Sequence, residues 1–156
     1  MTDASQPVLT AEGKQKLEEE LIDLKTVKRK LIADKIEAAK EMGDISENAE
    51  YASAKDEQAF LEARIVELEK VLAYAEVVQG TGSGETIGVG ATVGVETETG
   101  SSRQFTIVGY NEANPSDGKI SNESPLGQAL MGKRLGEFVT ISTPNGPKVY
   151  KIAKIF

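Results

Sequence analysis

Apolar residues recur at helical spacing through the first half of the chain, from Thr10 to about Ala75. Charged residues fill the positions between them, and no proline interrupts either of two long runs. An apolar stripe this narrow suits one partner helix rather than a broad core. The pattern predicts two helices of more than 30 residues, each roughly 45–50 Å long at ~1.5 Å per residue. The stripe consists of Leu17, Leu21, Leu24, Val27, Leu31, Ile36 and Ala39 in the first run, and Ala54, Leu61, Ile65, Leu68, Leu72 and Ala75 in the second.

A short segment, GDISENAEY from Gly43 to Tyr51, separates the two runs. Lone helices of this composition are marginal in water, so two stripes joined by a short turn should pair with each other. Thr10 is placed to cap the first helix, and Gly43 is placed to end it in a left-handed conformation. We therefore predict an antiparallel coiled-coil domain over residues 10–79, with its tip at 43–47 and a flexible tail at 1–9.

The period of the apolar residues changes from helical to alternating after a Gly-rich linker, predicted at residues 80–90. The stretches ATVGVETE, RQFTIVGY, FVTIST and KVYKIAKIF predict strands. The last two are joined through PNGP, where the flanking prolines favour a turn longer than two residues. SPLGQALMG predicts a short helix with Ser124 as N-cap, Pro125 at its first position and Gly132 at its end. Strands on both sides of one helix predict an α+β domain with an antiparallel sheet over residues 91–156.

Composition removes several classes of chemistry. The chain has no cysteine and no histidine, which excludes disulfides, thiol nucleophiles, imidazole catalysis and ordinary zinc sites. Residues 1–79 carry 11 Lys/Arg and 18 Asp/Glu, whereas residues 80–156 carry 7 of each, so the net charge of −7 lies in the helical half. An acidic module is a poor general binder of nucleic acid, despite the local cationic run KTVKRK, which is typical of a solvated helix face. No stretch is apolar and long enough to cross a membrane, so we expect a cytoplasmic protein.

Two acids, Asp44 and Glu47, lie three positions apart in the predicted turn. One interpretation is structural, because this spacing has the form of a capping box with an acid in place of Ser or Thr. The other is functional, because carboxylates are hard oxygen donors that suit Mg²⁺. Mg²⁺ prefers six oxygen ligands, so two acids at the end of a rod would need further ligands from another macromolecule. The two interpretations are compatible with each other.

Two segments carry a resemblance to a known family. AKEMGDISENAEYASAKDEQ (residues 39–58) resembles the tip of the bacterial Gre transcript-cleavage factors, and GKISNESPLGQALMGK (residues 118–133) resembles their C-terminal domain. The resemblance runs from about Thr10 to Phe156. It implies a coiled coil that enters the secondary channel of RNA polymerase and an FKBP-like domain that grips a coiled coil at the channel rim. It also implies that the polymerase, not this protein, hydrolyses the 3′ end of the backtracked nascent RNA.

The same resemblance assigns roles to individual residues. Asp44 and Glu47 would hold a catalytic Mg²⁺ jointly with RNA polymerase, with no metal bound by the free protein. Lys40 and Lys55 would meet the RNA, although a solvated surface charge is an equal reading. Two departures from the family are Lys30, where relatives often have Pro, and Gln128, where Arg is usual. The remaining assignments are Gly43, Ser46, Asn48 and Tyr51 as residues that shape the tip, and Ser121, Asn122, Ser124 and Pro125 as residues that bind polymerase.

Three other functions compete with transcript cleavage. A channel-binding regulator of the same fold that does not induce cleavage is disfavoured by the intact acids. A prolyl isomerase is disfavoured because the aromatics of the second half, Phe105, Tyr110, Phe138, Tyr150 and Phe156, are better interpreted as core. A plain coiled-coil scaffold is disfavoured by the second domain. We expect the free protein to be a monomer.

Overall fold

A computed structural model describes residues 6–44, 48–79 and 85–156. The chain divides into two compact units: Lys14–Tyr74, and the described residues up to Gly13 together with those from Ala75 onward. The first is a helical hairpin and the second contains a curled sheet with one short helix, so the predicted α+β class is confirmed. None of the described helices combines the length and apolarity needed to cross a membrane.

The helical unit has two arms. The first arm consists of α1 (Ala11–Asp23), a π-helical stretch (Leu24–Lys28) and α2 (Arg29–Glu41). The second arm is α3 (Ala49–Tyr74), which has 26 residues and is therefore about 39 Å long, shorter than the sequence predicted. Thr10 caps α1 as predicted, because its Oγ1 accepts a hydrogen bond from the Gly13 amide at 3.0 Å.

The π-helical stretch shifts the apolar stripe of the first arm by one residue. Before it, the inward side chains follow the predicted heptad through Leu24, and after it they lie at Ile32, Ile36 and Ala39. Leu24 and Ile32 are eight positions apart instead of seven, as expected when i→i+5 bonds add a residue to one turn. The predicted seam positions Val27 and Leu31 are therefore wrong, and each of the two side chains is 51% exposed.

The sheet unit contains five strands in the order β5-β4-β3-β7-β6. Three neighbouring pairs are antiparallel, while β4 and β5 are parallel. The turn between β6 and β7 has only two residues, Pro144 and Asn145, so the longer turn predicted there is wrong. The elements are β3 (Thr92–Thr97), β4 (Ser102–Val108), β5 (Lys119–Ser121), α4 (Pro125–Leu130), β6 (Phe138–Thr143) and β7 (Gly146–Ile155), with single 3-10 turns at Tyr110–Glu112 and Pro115–Asp117.

Two short strands before and after the hairpin form a separate parallel pair, β1 (Val8–Thr10) with β2 (Glu76–Val78). Leu9 is completely buried, so the prediction of a flexible tail over residues 1–9 is wrong for Val8 and Leu9. The chain approaches closely here, since a Cβ on Gly109 would lie 1.7 Å from the carbonyl oxygen of Val8. Residues 1–5 lie outside the described residues.

The core of the sheet unit corrects two further predictions. Ile87 and Val89 are buried among residues of β3, β4 and β7, so the linker predicted at 80–90 does not extend to them; residues 80–84 lie outside the described residues. Of the five aromatics interpreted as core, only Tyr150 is buried and Phe105 is half-buried. The other three, Tyr110, Phe138 and Phe156, are more than 60% exposed.

Candidate functional site

The turn of the helical hairpin begins where α2 ends at Glu41. Met42 caps this end, with its amide 3.2 Å from the carbonyl oxygen of Ala39. Gly43 then adopts a φ of +137°, a conformation that side chains with a Cβ rarely adopt. Asp44 follows with its side chain exposed to solvent. Ser46 and Glu47, for which the sequence predicts tip-shaping and metal-binding roles, lie outside the described residues.

Asn48 begins the second arm. Its Oδ1 accepts a hydrogen bond from the Tyr51 amide at 3.1 Å, which is the bond of an N-cap, and α3 starts at Ala49. Its Nδ2 donates a bond of 2.6 Å to the carbonyl oxygen of Ala39 on the first arm. The cap of α3 is therefore Asn48. A capping box formed by Asp44 and Glu47 stays a prediction, because Glu47 lies outside the described residues.

A shallow depression at this turn is lined by Met42, Asp44, Asn48, Ala49 and Glu50. Asp44 and Glu50 supply carboxylates to it, and both are exposed. Within residues 6–44, 48–79 and 85–156, no group of three or more His, Cys, Asp or Glu side chains could hold a metal ion. The donors are of the oxygen type that Mg²⁺ prefers but too few to enclose it, so a bound ion would need ligands from a second molecule.

The cations predicted near the RNA lie on the outer surface of the arms. Lys55 donates a hydrogen bond to Gln58 Oε1 at 2.9 Å, and Lys40 is exposed without an ion pair to any residue that the structure describes. Lys30, one of the departures from the family pattern, is also exposed on α2. The exposure of all three side chains leaves them accessible to a polyanion.

Ion pairs join the two arms of the hairpin on its exposed surface. Arg29 and Glu62 form a two-bond fork, with Nε–Oε1 at 2.8 Å and Nη2–Oε2 at 2.7 Å. The hydrogen bonds of Arg29 lower the pKa of Glu62 below its ordinary value of 4.5, and the same contact raises the pKa of Arg29. Further pairs join Arg64 to Glu20, Lys25 to Glu69 and Lys35 to Glu57.

The residues predicted to bind polymerase form a hydrogen-bonded turn between β5 and α4. Ser124 Oγ donates to the Ser121 carbonyl at 2.6 Å and accepts from the Gly127 amide at 3.1 Å, while Pro125 occupies the first turn of α4. A Cβ on Gly127 would lie 2.0 Å from that same Ser121 carbonyl, so only glycine permits this packing. Ser121 is buried, whereas Pro125 and the departure Gln128 are exposed. The backbone amide of Asn122 donates a hydrogen bond to the Val108 carbonyl at 2.9 Å.

Sequence reasoning missed one polar contact that organises the sheet unit, the bond between Glu112 and Thr10. The two residues are 102 positions apart, and Glu112 lies in a loop with no periodic pattern. The structure brings Gly43, Asp44, Asn48 and Tyr51 together in the helical unit and Ser121, Asn122, Ser124 and Pro125 together in the sheet unit.

Comparisons with known proteins match both units. The family profile described as "Transcription elongation factor, N-terminal" matches residues 7–77, and "Transcription elongation factor, GreA/GreB, C-term" matches residues 82–156. The transcription elongation factors GreA of Bacillus subtilis (strain 168) and Bacillus velezensis are 50% and 49% identical over 148 residues, covering 94% of each chain. The solved structure of GreA factor homolog 1 (Gfh1) of Thermus thermophilus is 31% identical, covers 97% of this chain and 99% of its own, and has a TM-score of 0.44.

Proposed function

Because this chain belongs to the GreA/GreB family of transcription elongation factors, we propose that it rescues arrested RNA polymerase by stimulating cleavage of the backtracked transcript. The hairpin enters the secondary channel of the polymerase, and the sheet unit holds the channel rim through the turn of Ser121, Asn122, Ser124 and Pro125. The protein acts as a monomer in the cytoplasm. It supplies side chains to an active centre that belongs to the polymerase, and is not a nuclease by itself.

One observation carries this proposal: an exposed carboxylate, Asp44, lies at the turn of a hairpin whose sequence is about half identical to GreA proteins. Glu47 is three positions further along the same turn. Enzymes that hydrolyse phosphodiesters commonly use two metal ions, one at the attacking water and one at the leaving oxygen. Asp44 and Glu47 would share one Mg²⁺ with the polymerase, where the ion activates water and neutralises charge.

The rest of the chain has supporting roles in this proposal. Arg29, Lys25 and Lys35 pair with acids of the other arm, which keeps the hairpin narrow. Lys40 and Lys55 remain on the outer surface and would approach the extruded RNA, whose phosphates attract cations. With neither His nor Cys in the chain, its contribution to the chemistry is confined to carboxylates, cations and hydroxyls.

The test uses a purified polymerase elongation complex stalled in a backtracked state, with RNA labelled at its 3′ end. The parent protein should release a short 3′ fragment, whereas Asp44→Asn and Glu47→Gln should lower the cleavage rate by about 100-fold or more, as expected for loss of a charged group at a reacting centre. Asp34→Asn is the matched control, because Asp34 is an exposed acid on α2 and its neutralisation should leave the rate unchanged.

Binding to polymerase, measured by competition, should stay within about twofold for all three variants, because the mutated acids belong to the helical segment of the chain and the proposed rim contacts belong to the sheet unit. If Asp44→Asn and Glu47→Gln both cleave like the parent, the acids have no part in the reaction. If the parent binds but releases no fragment, the protein is a channel-binding regulator that does not induce cleavage.

A further inference from the structure

One edge of the five-stranded sheet is formed by β6, whose outer side pairs with no strand among residues 6–44, 48–79 and 85–156. The register with β7 decides which backbone groups of β6 face outward. The Ile152 amide donates to the Glu137 carbonyl at 2.9 Å, and residues of an antiparallel strand face its two neighbours in turn. The N–H and C=O groups of Phe138, Thr140 and Ser142 therefore point away from β7, and these three residues are exposed.

The sequence of β6 contains none of the features that usually protect a sheet edge. Natural proteins protect such edges with proline, with charged residues, with very short strands or with a covering segment. The strand FVTIST has six residues and contains neither proline nor a charged residue. The opposite edge differs, because β5 has only three residues and includes Lys119. The sheet is therefore protected at one edge and open to a further strand at the other.

The inner face of this edge favours apolar residues in an added strand. Val139 is buried in the core of the sheet unit, and Ile141 is half-buried against the same core. Side chains of a strand paired with β6 would alternate between the two faces of the sheet, so every second one would lie beside Val139 or Ile141. Apolar residues at these positions would extend the core.

The charge around β6 determines which kind of strand the edge favours. The side chains of residues 133–156 carry five positive charges and one negative charge, whereas the whole chain has a net charge of −7. Lys148 and Lys151 lie on β7 opposite Ile141 and Phe138, and neither forms an ion pair with a described residue. An added strand would lie about 10 Å from β7, a distance that long side chains of opposite charge can bridge. Acidic residues are therefore favoured there, and a second copy of this basic edge is disfavoured.

We propose that β6 is a docking edge for an extended, acidic segment of another protein, which binds as a sixth strand of the sheet. Its backbone bonds to the outward groups of Phe138, Thr140 and Ser142, and its apolar residues extend the core. Its acidic residues meet Lys148 and Lys151. Addition of a strand is a recurring mode of peptide recognition. The turn proposed to hold polymerase follows β5, the strand at the opposite edge, so this inference does not depend on the proposed function.

The probe is a synthetic peptide, blocked at both ends and long enough to span β6, in which valine alternates with glutamate. It is titrated into the full-length, isotope-labelled protein, and amide exchange with solvent is followed by NMR. With peptide at about ten times its dissociation constant, exchange of the Thr140 and Ser142 amides should slow about tenfold. The Val139 and Ile141 amides should keep their rates, because they face β7. A peptide with lysine in place of glutamate should bind at least about fivefold more weakly.

Two kinds of substitution separate the backbone bonds from the charge. Thr140→Pro removes an outward N–H that β7 does not use, and proline is found at such positions of edge strands. It should abolish peptide binding, whereas Thr140→Ala keeps the amide and should bind like the parent. Lys151→Glu should weaken binding of the glutamate peptide at least about fivefold and strengthen binding of the lysine peptide. Lys154→Glu is the matched control, because Lys154 is an exposed lysine of β7 beyond the stretch that pairs with β6.

Three results would overturn the inference. The first is a glutamate peptide that does not bind, or that binds without protecting the Thr140 and Ser142 amides. The second is dimerisation of the free protein with protection of the same amides, which would make a second copy the occupant. The third is tighter binding of oligouridine than of the glutamate peptide at β6, which would assign the cations to nucleic acid. If circular dichroism shows that Thr140→Pro does not fold, the reversed charge preference of Lys151→Glu decides, and an unchanged preference overturns the proposal.

Discussion

Glu112 accepts two hydrogen bonds from Thr10, one from the backbone amide at 2.9 Å and one from the hydroxyl at 2.5 Å. Thr10 Oγ1 in turn accepts from the Gly13 amide, so the carboxylate acts on the cap of α1 through one intermediate hydroxyl. Negative charge at the N-terminus of a helix is favourable because the unpaired amides there carry partial positive charge. A loop of the sheet unit therefore fixes the residue at which the first helix begins.

Replacement of Glu112 by Gln should destabilise the sheet unit. A glutamine has one acceptor oxygen in place of two and no charge, so one of the two bonds to Thr10 is lost and the other is weakened. We expect the free energy of unfolding to fall by about 1–2 kcal/mol. Urea unfolding followed by circular dichroism measures this change.

Glu98→Gln provides the control, because Glu98 lies exposed in the turn between β3 and β4 and makes no ion pair to a described residue. Its unfolding midpoint should match that of the parent protein. Equal midpoints for Glu112→Gln and the parent would show that the bonds to Thr10 add nothing to stability.

The fork between Arg29 and Glu62 makes the stability of the hairpin depend on pH. Because folding lowers the pKa of Glu62 below 4.5, the folded protein binds its proton less readily than the unfolded chain does. The stabilisation is complete above pH 4.5 and is lost as the pH falls through the lower, folded pKa. The melting temperature of Glu62→Gln should thus lie below that of the parent near pH 6, and the difference should shrink towards pH 3.

The same series with Glu37→Gln is the control for this pH effect. Glu37 is exposed on α2 and forms no ion pair with a described residue, so its replacement should give a small difference that varies little with pH. Added salt should also reduce the difference for Glu62→Gln, because both side chains of the pair are exposed to solvent. A difference for Glu62→Gln that persists unchanged at pH 3 would contradict the assignment to this fork.

Loss of the Ser124 hydroxyl should weaken the predicted polymerase contact without changing metal dependence. Ser124→Ala removes both the cap of α4 and the bond to the Ser121 carbonyl, which should cost about 1 kcal/mol of stability. Affinity for polymerase should fall several-fold by competition binding, while the Mg²⁺ concentration for half-maximal cleavage stays the same.

Ser116→Ala tests whether this effect is specific to the turn. Ser116 contributes only its backbone amide to the bond with Asn114, so loss of its exposed hydroxyl should leave polymerase affinity unchanged. Equal affinities for Ser124→Ala and Ser116→Ala would remove the turn after β5 from the polymerase contact.

The local features of this fold could be predicted because their signals are contained in a few neighbouring residues. The caps of α1 and α4 follow from Thr10 and Ser124, and the strands β6 and β7 follow from alternation. The two-residue turn between them could not be predicted with the same rules. Pro144 occupies a turn position where its fixed φ is suitable and no amide donor is needed, so the flanking proline shortens the turn instead of loosening it.

The features that were not predicted depend on contacts between distant residues. The strands β1 and β2 have three residues each, too few for an alternating pattern, and they pair in register only because the hairpin returns the chain to its starting point. The extra residue at Leu24–Lys28 leaves no mark in the apolar pattern of the sequence, and the exposure of Val27 and Leu31 shows the shift. For the candidate site, the sequence located Asp44 in the turn but did not identify Asn48 as the cap of α3, because the bond of Asn48 to the first arm depends on how the two arms pair.

The polypeptide leaves the sheet unit after Gly13 and re-enters it at Ala75, and the flanking strands β1 and β2 lie side by side as a parallel pair. Residues 14–74 are therefore an insertion into the sheet unit, which is one compact body formed by two separate segments of the sequence. The length of the two arms can therefore change during evolution without any change in the sheet unit. A longer or shorter hairpin needs only matched changes in both of its arms. Chimaeras that exchange residues 14–74 between homologues should fold, because these residues form a compact unit of their own.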